Sequence, residues 1–153
     1  MNCRFLTETE RQKLLVELET QFGITALPEV LLETGKEKIR GFSGSLTQEE
    51  LKELGNIVNV EIIGIYLIRK EHDLRLSFDA THFLASQLDK NIVEINEEQR
   101  DAWIRGNDLE LVAQKGTVIL RHNNDFLGCG KSTGEKVINH VPKERRLKSK
   151  TIK

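Results

Sequence analysis

Hydrophobic positions change period several times along the chain, and each change marks an element. Leu14, Leu15, Leu18 and Phe22 recur at the three- and four-residue spacing of one helical face. Thr7 with Glu10 forms a capping-box signature ahead of them and Gly23 follows, which predicts a helix between those points. Residues 27–35 and 38–44 carry short apolar runs around Gly35-Lys36 and predict two strands joined by a turn. Thr47 and Glu50 repeat the capping signature and predict a helix to about Leu54, ended by Gly55. Val58 to Arg69 is the richest run of β-branched residues and predicts the strongest strand, which breaks at the charged turn Arg69–Asp73. Leu74, Leu76 and Phe78 alternate with Arg75 and Ser77, as a half-exposed returning strand requires. Asp79 then reads as a helix N-cap, with Phe83, Leu84 and Leu88 on the buried side.

Asp89-Lys90-Asn91 reads as a boundary between two halves. Beyond it, Ile92–Ile95 predicts a strand. Asn96 caps a short helix carrying Trp103 and Ile104, and Arg105-Gly106-Asn107-Asp108 closes that helix with glycine in the cap. Trp103 on so short a helix is expected in the core. Leu109–Leu111 predicts one more short strand. Residues 116–121 and 125–128 predict two strands joined by His122-Asn123-Asn124-Asp125, a hairpin signal. Gly128 and Gly130 fall inside a strand pattern, where glycine marks a bulge, a bend or a close backbone approach. Ser132–Gly134 turns, Val137-Ile138 gives a short apolar run, and Pro142 ends it. The pattern is that of an α+β chain with an N-terminal α/β domain over residues 1–89, a second domain over 90–146 and a tail over 147–153.

Charge alters this picture at one end. The 153 residues carry a net charge of −1, yet residues 131–153 hold eight Lys/Arg against Glu135 and Glu144. A cationic end on an otherwise acidic body points to a polyanion partner; the alternative is a solvated tail without one. A 38% hydrophobic and 31% charged composition is that of a soluble globular chain. No apolar run approaches the ~20 residues that cross a bilayer, and acidic residues come too early for a signal segment, so a cytoplasmic protein without a membrane partner is expected.

Catalytic chemistry is not announced. Cys3 and Cys129 are two thiols far apart, and Cys129 follows Gly128 with no base or helix start beside it, so a packed side chain is expected. His72, His82, His122 and His140 show no metal-ligand spacing, so no metal and no cofactor is expected. Neither Gly41 and Gly44 nor Gly130-Lys131-Ser132 has the spacing of a phosphate-binding loop. The aspartates at 73, 79, 108 and 125 are paired only by proximity in sequence.

The stretch Phe126–Arg146 carries a resemblance. Leu127-Gly128-Cys129-Gly130-Lys131, Asn139, Pro142-Lys143 and Arg145-Arg146 resemble the C-terminal end of a PUA domain of the kind attached to RNA cytosine-5 methyltransferases of the Nop/Sun type; Ile138 stands where that pattern has lysine. Residues 1–89 resemble, more loosely, the pre-PUA α/β domain of archaeal and eukaryotic ribosome-biogenesis factors. The resemblance implies a pre-PUA-like domain followed by a PUA-like mixed β-barrel, an RNA partner (rRNA or tRNA) and a role in ribosome biogenesis, rRNA processing or RNA modification. It also implies pre-ribosomal proteins or an RNA methyltransferase as further partners. Neither a Pro-Cys nucleophile pair nor a Gly-rich S-adenosylmethionine loop is present, so a non-catalytic RNA-binding protein is expected; the alternatives are an in-trans recognition subunit of a separate methyltransferase and a protein-interaction module. RNA contact is expected at Arg105, Gly106, Arg121, Gly128, Gly130, Lys131, Lys143, Arg145 and Arg146, the cations neutralising phosphates and the glycines letting the RNA backbone come close. With aromatic residues at 5%, contact through phosphates, sugars and shape is favoured over base stacking.

Overall fold

A computed structural model describes residues 3–35, 37–57 and 64–147. Strand β1 (Cys3–Phe5) leads into α1 (Glu8–Phe22), and β2 (Val30–Thr34), β3 (Lys38–Phe42), α2 (Gln48–Ile57), β4 (Ile65–Lys70) and β5 (Leu74–Leu76) follow. The five strands form one antiparallel sheet in sequence order. Thr7 and Glu10 make the expected capping box on α1, and Gly23, with φ 87°, closes it. Leu14, Leu18 and Phe22 on the inner face of α1 meet Ile39, Ile68, Leu74 and Leu76 of the sheet in the main core. On the other face α2 places Leu51 over Val30 and Leu32, beside Phe5 and Phe42. An ion-pair chain then holds the rim of α1 to the sheet: Arg4 lies 2.8 Å from Glu10 and 2.6 Å from Glu33, and Lys70 lies 2.9 Å from Glu33. At the opposite end of α1 the Gln21 amide treats β5 as a strand partner. It donates to Leu74 O at 2.7 Å and accepts from Leu74 N–H at 3.1 Å.

Three expectations for this half are corrected. Gly55 does not end α2, which runs on to Ile57; Gly55 keeps a right-handed φ, and an interior glycine costs only about 1 kcal/mol in a helix. Asp79 is not the cap of α3 (Phe78–Phe83). Ser77 is, its hydroxyl accepting from Ala80 N–H at 3.0 Å. Phe83 is half exposed, because the buried face of α3 runs through Ala80 and Thr81 instead. The strand expected over Val58–Arg69 is present as β4 from Ile65; residues 58–63 lie outside the described residues, as does the tail from 148.

A 3-10 turn (Ala85–Gln87) leads to β6 (Ile92–Glu94), α4 (Glu97–Ile104), β7 (Gly116–His122), β8 (Asp125–Ser132) and β9 (Val137–Asn139). Asn96 and Gln99 form the cap of α4. Strand β6 runs parallel to β7 while β7, β8 and β9 are antiparallel, giving a mixed sheet in the order β6-β7-β8-β9. Leu109 contributes a single bridge to Val137. Among the described residues these strands form an open sheet and not the closed barrel expected. The β7–β8 hairpin turns at Asn123, whose φ is 56°, as its Asn-Asn sequence predicts.

In residues 126–132 the glycines at 128 and 130 predict a bulge, a bend or a close approach of RNA. The segment forms seven of the eight residues of β8, in which only Asp125 is exposed. One face of the mixed sheet packs Val118, Leu120 and Val137 against Trp103 of α4. The other sends Ile119, Phe126 and Cys129 into the main core beside Leu76, Ala80 and Leu84. Residues on both sides of Asp89 therefore share one hydrophobic cluster.

Candidate nucleic-acid interface

Helix α4 ends at Ile104 with Arg105 as its cap, and the loop behind it is held by one buried side chain. Asn139 donates to Trp103 O at 2.7 Å and to Asn107 O at 2.9 Å, and accepts from Val141 N–H at 2.8 Å. Asp108 accepts from Asn139 N–H at 2.8 Å. These bonds steer the chain after β9 back across the end of α4, where Leu147 N–H donates to Ile104 O at 2.8 Å. Pro142 starts a 3-10 turn (Lys143–Arg145) on that return path.

Arg105, Gly106, Lys143, Arg145 and Arg146 are thereby brought together. Gly106 has φ 98°, and the Arg146 side chain lies directly over it, donating from Nε to Val141 O at 2.8 Å. Arg145 reaches 2.8 Å to Asp79 on α3. Arg105 and Lys143 are exposed and belong to no ion pair among the described residues; Arg105 donates only weakly, to Asp101 O at 3.4 Å. Two cations are thus ready for an anion, and two others hold the loop while presenting charge at its rim.

The remaining expected contacts lie elsewhere. Arg121 stands near the hairpin end of β7, 2.6 Å from Glu94 and over the Phe126 ring. Lys131 pairs with Thr117, four residues and roughly 13 Å along β7 from Arg121. Strand alternation turns Lys131 away from the α4 face, towards His140 and Arg75. Gly128 and Gly130 are corrected outright as points of RNA approach, because both are buried. A Cβ at Gly130 would lie 2.6 Å from both Trp103 and Val137, and one at Gly128 2.9 Å from Phe78. The close approach that these glycines permit is made by the protein's own aromatic rings.

Sequence reasoning missed Arg75 and His140. Arg75 reads only as the polar position of an alternating strand, and nothing local marks it for contact with residue 140. The structure sets its guanidinium 3.0 Å from His140 Nδ1 and 3.3 Å from Glu71. Burial lowers the His140 pKa, and the Arg75 and Lys131 charges lower it further against the opposing pull of Glu71 and Asp108. Cys129 is enclosed in the core, and its pKa is pushed up to about 12 by desolvation, so it stays a thiol. Asp73 accepts from Thr117 N–H, and Asp79 and Asp108 hold the contacts given above, so three of the four aspartates considered for acid–base work have structural partners.

The mixed sheet, with its helix end tied through Asn139 to a basic C-terminal return, lies in the part of the chain that is similar to a PUA domain. Residues 90–147 match the family model described as the methyltransferase RsmF PUA domain. Within that region the chain is similar to ribosomal RNA small subunit methyltransferase F of Vibrio cholerae serotype O1, at 38% identity over 63 residues, and to the protein of that name from Vibrio atlanticus, at 33% over 63 residues. Each match covers 40% of this chain and 13% of the relative, so the chain corresponds to a small part of the length of those relatives. The fold likeness reaches further than the sequence likeness. A conserved PUA-domain protein from Thermoplasma acidophilum superposes with a TM-score of 0.58 over 90% of this chain and 92% of that one, at 13% identity. Among the described residues no helix is long and apolar enough to cross a membrane.

Proposed function

We propose that the protein binds structured RNA, ribosomal or transfer, through the surface at the end of α4 and performs no chemistry of its own. The observation that carries this reading is the convergence of Arg105, Lys143, Arg145 and Arg146 around Gly106, with Arg105 and Lys143 unpaired among the described residues. Relatives over this same region are named for ribosomal RNA, which supports rRNA as the first candidate. A non-catalytic role is supported by the enclosed Cys129 and by the structural partners of the aspartates. Its setting would be the cytoplasm, in ribosome biogenesis or RNA modification.

Charge reversal of the two unpaired cations, Arg105→Glu with Lys143→Glu, tests the surface. Binding to small-subunit rRNA and to tRNA is expected to weaken, with the log–log salt slope falling by about 2, near 0.9 for each phosphate that is no longer neutralised. A folded double variant with unchanged affinity and slope would rule the surface out.

A second reading has the protein act in trans as the recognition subunit of a separate methyltransferase. It is favoured by the names of the relatives, which are methyltransferases. Co-purification with a methyltransferase, and a gain in its activity on adding this protein, would separate it from the first.

A further inference from the structure

The acidic character of the N-terminal half is unevenly distributed. Carboxylates crowd the first turns of α1 and α2, at Glu8, Glu10, Glu49 and Glu50. The far face of the first sheet is different. Lys38 on β3 pairs directly with Arg69 on β4, and Arg69 directly with Arg75 on β5. Direct pairs point to the same side of a sheet, so three cations stand in one row across three strands, spanning roughly 10 Å. That side is opposite the α1 core, which takes Ile39, Ile68, Leu74 and Leu76 from the same strands. Helix α2 covers only the Val30, Leu32 and Phe42 end of this face. Tyr66 lies beside the row, its ring 5.3 Å from the Lys38 ammonium.

The row continues into the second half of the molecule. Arg75 contacts His140, and Lys131 is close enough to depress the pKa of the same imidazole. Four cations, Lys38, Arg69, Arg75 and Lys131, are set against two carboxylates, Glu37 at 3.6 Å from Arg69 and Glu71 at 3.3 Å from Arg75. Such half-exposed pairs hold weakly and exchange readily for a stronger anion. Arg69 Nε is enclosed and has no hydrogen-bond partner among the described residues. An open depression of about 530 Å³ lies beside it, lined by Thr34, Gly35, Glu37, Lys38 and Arg69.

We propose that this row is a second phosphate-contacting surface, so that a structured RNA is held by the N-terminal sheet as well as by the end of α4. The proposal rests on the RNA reading above and extends it to residues outside the region shared with the methyltransferases. Regular spacing of cations at strand separation suits the repeating charge of a polynucleotide backbone, and Tyr66 offers one ring for a base or sugar. Lys131 finds its role here, with Arg75 and His140, and not with Arg105.

The test uses the full chain with tRNA and small-subunit rRNA, titrated at several salt concentrations. Lys38→Glu, Arg69→Glu and Arg75→Glu together are expected to weaken binding by about tenfold or more and to lower the salt slope by about 3. Should that variant fail to fold, the neutral set Lys38→Gln, Arg69→Gln and Arg75→Gln reads the same slope. Ultraviolet crosslinking followed by peptide mass spectrometry is expected to find nucleotide on Tyr66. Wild-type binding with an unchanged slope in the folded variant and no crosslink at 66 overturns this surface and leaves the α4 surface standing. Absence of binding by the wild-type chain overturns both, and so does retention of an acidic protein in place of RNA.

Discussion

Gly130 illustrates how a residue chosen for closeness can serve the interior. Its missing Cβ leaves room for Trp103 and Val137, and the Trp103 indole N–H donates to Leu127 O at 2.7 Å on the same strand. Gly130→Ala is expected to destabilise the protein by roughly 1–3 kcal/mol through overpacking, read by thermal or urea unfolding, with RNA affinity of the folded fraction unchanged. A change in affinity without a loss of stability would return Gly130 to the binding surface. Cys129, next to it, is expected to resist thiol reagents at pH 8 until the protein unfolds, because its enclosed thiol holds its proton far above that pH. His140 behaves as a half-buried base whose folded pKa is depressed. Its contribution to stability is complete above the unfolded value of about 6.5 and is lost as pH falls from there towards the lower folded value. Unfolding curves between pH 7 and 5 are expected to show this loss, and His140→Gln to diminish it.

At the scale of elements, the end of α4 and the return from β9 behave as one unit because Asn139 bonds to both. Asn139→Ala leaves Trp103 O, Asn107 O and Val141 N–H without their partner and is expected to cost roughly 3 kcal/mol. It is also expected to weaken RNA binding more than its uncharged side chain would predict, since Arg105 and Arg146 lose their register. Helix and strand positions were legible wherever local chemistry decides them. The capping boxes at Thr7, Thr47 and Asn96 and the Asn123 turn are examples. Gly55 and Asp79 misled because each is a good terminator or cap only if nothing stronger competes. Ser77 won the cap through geometry, and α2 tolerated its glycine. The site was legible in residue type and not in arrangement. Arg145 and Arg146 were visible as charges, but their bonds to Asp79 and Val141 O depend on a chain path that no local pattern encodes. Arg75 was invisible for the same reason, its neighbours at 69 and 140 being set by sheet register and by packing between sheets.

For the molecule as a whole, the shared cluster governs cooperativity. Ile119, Phe126 and Cys129 from the second sheet pack with Leu76, Ala80 and Leu84. Residues 90–147 cut away from the rest would expose that face to water. The fragment is expected to lack a cooperative melting transition, while the full chain unfolds in one step by circular dichroism and by Trp103 fluorescence alike. Two separated transitions in the full chain would mean that the halves are independent. The amide of Gln21, bonded to both main-chain groups of Leu74, has a consequence of its own. A terminal strand with free peptide groups invites a neighbouring molecule to add itself to the ladder. By imitating a peptide unit, one glutamine occupies the place at Leu74 where a second copy would dock, so the outer strand is closed to stacking there without a charge or a proline being spent on it.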